Sequence, residues 1–284
     1  MNRKVPIFGG VVLFILLLLV LGSIYLENQN EKMYNDSLMS NYEYNIIIES
    51  NSTLQNVTLY LPVPVFENES EVGLEMVNGD YYNKPSNWNL SLTDTEHGPM
   101  FKIEAAEIKP VYHSLPVAVP EPEPGSENIE DEVQGEEQIV ESNEYSEETP
   151  VLTSFDFGTN VRADHMINTR FPVGNESGLL PKNNLRESEE GSEIPLPEHI
   201  NPEYFDYESL VYAHYDASPD TEVQIFVQMD GRNEWWIYGW QSNGYSDRIS
   251  IRLSGPQEGW VKAEGKLITG DGVYKEIPEN SSRE

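Results

Sequence analysis

Length, composition and charge set the first limits on this chain. Its 284 residues are enough for one or two domains with a hydrophobic core, and its formal net charge of −32 repels phosphate backbones, which excludes nucleic-acid binding. The chain contains no Cys, which excludes a disulfide framework, thiolate zinc sites, a catalytic thiol and a lipid anchor on cysteine.

The first predicted element is a transmembrane helix at residues 5–26, whose partner is the lipid bilayer. This segment has no charged residue, and at about 1.5 Å per residue it spans roughly 33 Å, close to the hydrocarbon thickness of a bilayer. Arg3 and Lys4 precede it and Glu27 follows it. The positive-inside rule therefore places residues 1–4 in the cytoplasm and the rest outside the cell membrane. A cleaved signal peptide is the alternative, although its apolar region is usually shorter.

Sequons of the N-x-[S/T] type lie only beyond the predicted helix and indicate a glycosylated outer part. They are at Asn35, Asn51, Asn56, Asn68, Asn89, Asn175 and Asn280. An Asn-rich and Ser-rich composition is the alternative explanation, because the sequon is short and both residues are common in this chain.

A polar stalk is predicted at residues 27–41, and the first part of a β ectodomain follows at residues 42–118. From Tyr42 onward apolar and polar residues alternate, which is the period of a half-buried strand. A second alternating run begins at Val57, and the two runs predict an antiparallel hairpin. Weaker strands are predicted at residues 71–77, 87–92 and 100–108.

Residues 119–149 are predicted to be a disordered acidic insertion. The stretch contains twelve acidic residues and no basic residue, and it opens with a Pro-Glu-Pro-Glu-Pro run. So few apolar residues cannot offset the entropy cost of ordering the chain. We interpret it as a solvated spacer inside a β domain, and a tail that binds cations or a partner is the alternative.

The second part of the ectodomain, residues 150–275, has the strongest strand patterning, and a disordered tail is predicted at residues 276–284. Strands are predicted at residues 151–161, 210–215, 222–229, 235–240, 249–253 and 260–268. Turns are predicted at Asp230-Gly231, Asn243-Gly244 and Gly255-Pro256. Short strands at this spacing predict a mainly β fold, an antiparallel β-sandwich or open barrel with long disordered insertions. We expect one domain, interrupted by the acidic insertion.

Three aromatic residues in the predicted strand at 235–240 are the candidate ligand-binding residues. Strand alternation places Trp236, Tyr238 and Trp240 on one face. If this face is open to solvent, the rings can stack against sugars, and the chain is then a carbohydrate-binding module. The alternative is that both faces are covered and the aromatics belong to the β core.

No catalytic motif is present, and we predict neither enzyme activity nor a cofactor. Candidate zinc ligands are His165, His199 and His214. They include no close ligand pair, so a metal-assisted envelope hydrolase would need a dispersed site. Candidate ligands of a structural calcium ion are Asp216, Asp220 and Asp271. These positions are also typical of turns, and neither loop matches an EF-hand.

Several features together carry a family resemblance. They are Arg3-Lys4 before the anchor, the Tyr-Asn-Ile-Ile-Ile strand, the run Asn56-Val-Thr-Leu-Tyr-Leu-Pro62, the acid excess, the sequons and the Trp-rich C-terminal run. In these the chain resembles membrane-anchored acidic surface proteins of archaea, especially methanogens. The resemblance implies a cell-envelope location and an acidic β ectodomain, and it transfers no catalytic residue. We therefore expect a single-pass cell-surface protein whose non-catalytic ectodomain binds or scaffolds a protein or glycan of the envelope.

Overall fold

A computed structural model describes residues 4–79, 81–116, 145–188 and 202–270. Helices and strands in these ranges are numbered separately along the chain. The helices are α1 (Lys4–Ser37) and α2 (Glu71–Asn78). The strands are β1 (Met39–Ser50), β2 (Leu54–Leu61), β3 (Val63–Val65), β4 (Asn89–Thr95), β5 (Gly98–Ile108), β6 (Val111–Pro116), β7 (Tyr145–Thr153), β8 (Phe155–Arg162), β9 (Gly178–Leu180), β10 (Asn183–Glu187), β11 (Tyr204–Asp216), β12 (Glu222–Trp236), β13 (Trp240–Ser254) and β14 (Gln257–Ile268).

One curled antiparallel sheet of ten strands dominates the fold and forms an open half-barrel. Nine strands follow one another in the order β4-β5-β2-β11-β14-β13-β12-β1-β8, and β10 pairs with the first half of β11. Two small sheets join β3 to β9 and β6 to β7. The predicted mainly β fold is confirmed in its open-barrel form. Strands from both sides of the predicted insertion pair with one another, so the two halves of the chain build one sheet.

Helix α1 is long and apolar enough to cross a membrane, and it continues well beyond its apolar segment. Within the helical stretch Leu13–Ser37, a window of 18 residues has a mean hydropathy of 1.4. The helix does not end at Leu26 but continues to Ser37, and β1 begins at Met39. The predicted polar stalk contains neither Gly nor Pro before Ser37, so nothing in it breaks the helix. The stalk is therefore helical as far as Ser37, and its last three residues, 39–41, already belong to β1.

β1 and β2 are consecutive along the chain but do not pair, which corrects the predicted hairpin. β1 pairs with β12 and β8, whereas β2 pairs with β5 and β11. Because the sheet curls, the two strands face each other across the core. The Tyr44 hydroxyl donates to the carbonyl of Pro62 at 2.8 Å, and the Tyr44 ring meets Phe101 edge-on at 5.9 Å. Alternation identified both strands but could not identify their partners.

Helix α2 occupies the segment that was predicted as a weak strand at residues 71–77, so that prediction was wrong. The Ser70 hydroxyl accepts a backbone hydrogen bond from the first turn at 3.2 Å, and Gly79 ends the helix with a left-handed φ of 107°. Val72 and Met76, four residues apart, are both buried. This spacing and the capping Ser are the helical signals in the sequence.

The β12–β13 hairpin turns at residues 237–239, not at the two sites predicted before and after it. Asp230-Gly231 and Asn243-Gly244 both lie inside strands, where they take part in the β12–β13 ladder. The segment predicted as one strand at 235–240 therefore contains the turn. The predicted turn at Gly255-Pro256 is confirmed between β13 and β14.

Most of the acidic insertion and the C-terminal tail lie outside the described residues. The predicted disorder therefore falls outside the described residues at 119–144 and at 276–284. The last residues of the predicted insertion, from Tyr145 onward, belong to β7, which pairs with β6. β7 therefore begins at Tyr145, whereas the sequence predicted a strand from residue 151.

The inner face of the half-barrel is apolar along most of its length. Its largest fully buried side chains include those of Tyr44, Phe101, Phe157 and Tyr215. Successive strand residues point to opposite faces, so the same alternation leaves the polar side chains on the outer face. Near the end where α1 joins the sheet, however, the inner face carries buried polar side chains.

Candidate binding cleft and aromatic hairpin

A loop fills the polar end of the half-barrel. Residues 163–182, called the inner loop below, run from the end of β8 through β9 and contact β1, β12 and β13. Three buried polar side chains each make several of the contacts that hold the inner loop, and these are Asn233 on β12, Asp247 on β13 and Glu176 in the loop itself. Each has hydrogen-bond partners on more than one element, so the loop is fixed by side chains rather than by a regular strand ladder.

Asn233 binds the inner loop through its side-chain amide. Its Oδ1 accepts a hydrogen bond from the backbone N–H of Ile167 at 2.9 Å and from the Ser40 hydroxyl at 2.7 Å. Its Nδ2 donates to the Ile167 carbonyl at 2.8 Å and to Asn243 Oδ1 at 3.0 Å. Because one side chain satisfies both backbone groups of Ile167, it holds the loop in a single position.

Glu176 ties the inner loop to β1 and to itself. Its carboxylate accepts hydrogen bonds from the Tyr42 hydroxyl and from the backbone N–H of Asn168, the latter at 2.7 Å. His165 Nε2 lies 3.1 Å from the same carboxylate, and His165 Nδ1 lies 2.9 Å from Asp164. The buried carboxylate is thus surrounded by partners within the protein, which is the arrangement of a structural cluster.

Asp247 carries a second buried carboxylate, which is paired with Lys182. The Lys182 ammonium lies 2.5 Å from Asp247 Oδ2, and the backbone N–H of Leu179 donates to the same oxygen at 2.8 Å. The Tyr207 hydroxyl donates to Oδ1 at 2.5 Å. Burial, and secondarily the charge of Asp247, raise the pKa of Tyr207, so this phenol stays a neutral donor. Loss of Lys182 would leave a buried carboxylate without its counter-charge.

A cleft of about 490 Å³ opens between the inner loop and the turn after β3. Its apolar wall is formed by Val65, Phe66, Pro172, Val173, Leu180, Leu185 and Leu267. Its charged lining consists of the Lys182–Asp247 pair together with Glu67 and Glu176. A concave, mainly apolar surface with a few fixed polar groups has the form of a site for a small ligand or a partner side chain.

A second groove, of about 710 Å³, lies where β10 meets β11 and β14 and has a different lining. Charged and amide side chains surround it, Tyr207 contributes an aromatic ring, and no aliphatic side chain belongs to its lining. At its rim Glu208 is paired with Lys262 at 2.9 Å, and this hydrogen bond lowers the pKa of Glu208. The lining of the groove is more polar than that of the cleft, so the cleft is the better candidate for a ligand with an apolar part.

The predicted ligand-binding aromatics lie at the tip of the β12–β13 hairpin. Trp236, Tyr238 and Trp240, called the aromatic hairpin below, are 41%, 68% and 62% exposed. Trp236 and Trp240 form the last pair of the β12–β13 ladder, and their rings are 5.7 Å apart and inclined at 77°. Rings at this angle do not form a flat platform for stacking against a sugar. The adjacent Trp235 is buried and packs against Tyr34 of α1.

The predicted metal ligands are dispersed. His165 lies in the inner loop near the start of β1, whereas His214 lies near the other end of the sheet, on β11 beside β2. Asp216 ends β11, and Asp220 is exposed in the following turn. Outside the described residues lie His199 and Asp271. Within the described ranges, no group of three or more His, Asp or Glu side chains is placed to hold a metal ion.

Six of the seven sequon asparagines lie in the described part of the chain, and all six are exposed. They are Asn35, Asn51, Asn56, Asn68, Asn89 and Asn175. The seventh, Asn280, lies outside the described residues. Exposure leaves each of the six accessible to a glycosyltransferase, and their modification stays a prediction.

The side chains that hold the inner loop were not predicted. Asn233 and Asp247 occupy inward positions of β12 and β13, in the parts of these strands that lie outside the predicted segments 222–229 and 249–253, and Asp247 lies two residues before the buried Ile249. A polar residue at an inward position was therefore the available signal. Glu176 and Lys182 lie in or at the end of a segment without periodicity, where the sequence gives no such signal.

Known proteins give no assignment for the cleft or for the aromatic hairpin. No protein-family model matches this chain. Comparison with curated proteins gives no significant match, and comparison with solved structures gives none either.

Proposed function

We propose that this chain is a single-pass membrane protein: α1 crosses the bilayer, and the half-barrel outside it binds or scaffolds an envelope component without catalysing a reaction. The exposure of the apolar helix is the observation that carries this proposal. Every large apolar side chain from Leu13 to Leu26 is at least 49% exposed. Such a continuous apolar surface is unstable in water. The uncharged segment to which it belongs, residues 5–26, is about 33 Å long as a helix, which matches the hydrocarbon layer.

Charges at the two ends of the apolar segment support an outer location for the half-barrel. Arg3 and Lys4 precede the segment, and Glu27 follows it. Lys and Arg near a membrane span are enriched on the cytoplasmic side. The six exposed sequons beyond the apolar segment are consistent with the same orientation.

The cleft provides the binding role in this proposal. Its lining contains the carboxylates of Glu67, Glu176 and Asp247 but only one ammonium group, that of Lys182. An anionic ligand would face net repulsion and lose its hydration, whereas an apolar group finds a matching wall. We therefore expect an uncharged or cationic ligand with an apolar part.

A pair of substitutions in the helix tests membrane insertion. A charged residue at the centre of a membrane span costs about 2.5–3.5 kcal/mol on insertion scales, so Leu17→Glu with Leu18→Glu should release the chain from membranes. The measurement is the fraction of the chain that stays with membranes after an alkaline carbonate wash. Leu74→Glu is the matched control, because Leu74 is 49% exposed on α2 and its replacement should leave the retained fraction unchanged. If the unmodified chain is itself released by the wash, the membrane proposal is wrong.

Single cysteines test orientation and the cleft in the same cells, because the chain has no Cys of its own. Val111→Cys should react with a membrane-impermeant maleimide in intact cells, and Asn2→Cys only after permeabilisation. The reverse pattern would contradict the orientation.

At the cleft, neutral or cationic aromatic fragments should slow the labelling of Val173→Cys but not of Val111→Cys. Equal slowing by matched anionic fragments would contradict the expected ligand class.

A further inference from the structure

We infer that the aromatic hairpin rests in the interfacial layer of the same bilayer that α1 crosses, which gives the half-barrel a second contact with the membrane. This inference rests on the proposed membrane span. Its occupant is the lipid headgroup region, and the observations that favour it concern position, charge and backbone conformation.

The aromatic hairpin and the end of α1 lie side by side. The Ser37 side-chain oxygen accepts a hydrogen bond from the backbone N–H of Trp236 at 2.8 Å, and the rings of Tyr34 and Trp235 meet edge-on at 5.8 Å. β1 leaves the helix at Met39 and pairs there with the end of β12. Because β12 is antiparallel to β1, its last residues point back toward the side from which the helix arrives.

Helix geometry places the tip of the hairpin close to the lipid. Ser37 lies 11 residues beyond Leu26, which is about 16 Å along a straight helix. Tyr238 lies two residues beyond Trp236, which returns the chain by at most about 7 Å. The tip backbone is then about 10 Å from the hydrocarbon edge, and the headgroup layer covers about 5–8 Å of that distance. The long Trp and Tyr side chains span the remainder, and helix tilt shortens it further.

The charge pattern of the hairpin fits a lipid interface. Residues 235–246 include no charged side chain, although the chain as a whole has a net charge of −32. An acidic tip would lose hydration at the interface and would be repelled by anionic headgroups. Trp and Tyr, in contrast, are enriched at this depth because one part of each ring system is apolar and the other can donate a hydrogen bond to water or headgroups.

Tyr238 adopts a backbone conformation that points to a constraint on its position. Its φ is 53°, in the left-handed region where an aromatic residue is uncommon, and Gly239 lies next to it. A glycine at position 238 would avoid this cost. An exposed aromatic residue kept in a strained turn is the pattern of a functional contact, and the side chain is 68% exposed.

Site-specific fluorescent probes test the contact in the full-length chain. Gly239→Cys places a probe between the aromatic rings without removing any of them, since a Cβ there meets no atom within 4 Å. Val111→Cys is the control at the opposite end of the sheet, where the adjacent Tyr112 reaches the Asn51 carbonyl after β1. Ile15→Cys, 50% exposed in α1, reports the membrane span itself. Each protein is labelled with an environment-sensitive dye and reconstituted in phosphatidylcholine vesicles that contain nitroxide lipids.

The outcomes separate the inference from the proposal on which it rests. We expect headgroup nitroxides to quench the Gly239 probe several-fold more than the Val111 probe, and deep-chain nitroxides to quench the Ile15 probe. Adding Trp236→Ser and Trp240→Ser should reduce quenching at Gly239 to the Val111 level. If the Ile15 probe is quenched but the Gly239 probe is not, the inference is overturned and the span stands.

Two further outcomes also overturn the inference. An unquenched Ile15 probe would overturn the membrane span and the interfacial contact together. If nitroxide lipids do not quench the Gly239 probe but soluble envelope glycans change its fluorescence, the aromatic hairpin binds carbohydrate instead.

Discussion

Gly231 and Gly265 lie inside strands beneath tyrosine rings. A Cβ on Gly231 would come within 2.2 Å of the Tyr245 ring, and one on Gly265 within 2.2 Å of the Tyr207 ring. The absence of a side chain lets each ring lie across the neighbouring strand. From there the Tyr245 hydroxyl reaches the inner loop and donates to the Ser177 carbonyl at 2.5 Å. Gly231 thus makes room for the ring of Tyr245, and Gly265 makes room for the ring of Tyr207, which binds Asp247.

Gly231→Ala should destabilise the half-barrel because the added methyl group must displace a buried ring. Overpacking of this kind costs about 1–3 kcal/mol. The free energy of unfolding in denaturant measures it, and Gly239→Ala is the control in the same hairpin, since a Cβ there meets nothing within 4 Å. Equal stability of the two variants would contradict the packing role of Gly231.

The same glycine shows what residue-level patterns can and cannot predict. Asp230-Gly231 and Asn243-Gly244 have the composition of hairpin turns, yet both lie in strands. Whether Asp230-Gly231 forms a turn or part of a strand depends on the cross-strand contact between Gly231 and Tyr245. This contact exists only in the register that the hairpin adopts. Local sequence does not contain that register, so the dipeptides alone were misleading.

At the scale of elements, the inner loop has no strand ladder along most of its length and depends on a few side chains. Asn233 satisfies both backbone groups of Ile167, and Asp247 accepts from the backbone N–H of Leu179. A buried backbone group that loses its partner costs about 1–3 kcal/mol. Removal of one such side chain should therefore open the part of the loop that it holds.

Asn233→Ala should increase amide hydrogen exchange at Ile167 while leaving Leu179, which Asp247 holds, less affected. Local opening that needs less free energy than global unfolding gives this uneven pattern. Residue-resolved hydrogen exchange measures it. Asn160→Ala, at an exposed position of β8, is the control and should leave both amides unchanged. Unchanged exchange at Ile167 in the Asn233 variant would show that other contacts hold the loop.

Long strands were predictable, whereas short or irregular elements were not. The alternation around Ile225 and Ile251 identified β12 and β13 because each buries one complete face. α2 is only eight residues long, and its two buried side chains also fit a short apolar strand. For the candidate site, the three aromatic residues were singled out, but the sequence left open whether they are exposed or belong to the core. The cleft depends on loop contacts between residues such as Glu176 and Tyr42, far apart in the chain.

At the scale of the whole molecule, burial of tyrosines links stability to alkaline pH. Among the described residues outside α1, burial raises the pKa of five phenols, those of Tyr44, Tyr82, Tyr207, Tyr215 and Tyr245. For Tyr82 and Tyr215 the pKa is raised to about 12. In the unfolded chain the same groups ionise near pH 10, so from about pH 10 to 12 the folded state binds more protons than the unfolded state.

The contribution of these tyrosines to the free energy of unfolding should therefore be constant below about pH 10. It should fall as the pH rises toward 12. Phenolate absorbance and circular dichroism, recorded together, measure the effect. In the folded chain, one fraction of the tyrosines should ionise at a higher pH than the exposed ones, and only when the sheet unfolds. The chain in denaturant is the control and should titrate in one step near pH 10. One step in the folded chain, with the sheet intact, would contradict the prediction.

The order of strands could not be predicted from the sequence, although the mainly β class could. β1 pairs with β12 and β2 with β11, and these partners lie more than 150 residues away along the chain. Alternation fixes which face of a strand is buried but does not identify its neighbour. The open half-barrel is therefore a property of pairings that only the structure gives.

These distant pairings have a consequence for proteolytic cleavage. A cut anywhere between Pro116 and Tyr145 separates the chain into two fragments, yet β1 still pairs with β12, and β2 with β11, across the cut. The fragments are held by twelve residue pairs along β1–β12 alone. Nicked protein should thus migrate as two bands under denaturing conditions and as one species when native, so cleavage there does not by itself shed the C-terminal fragment.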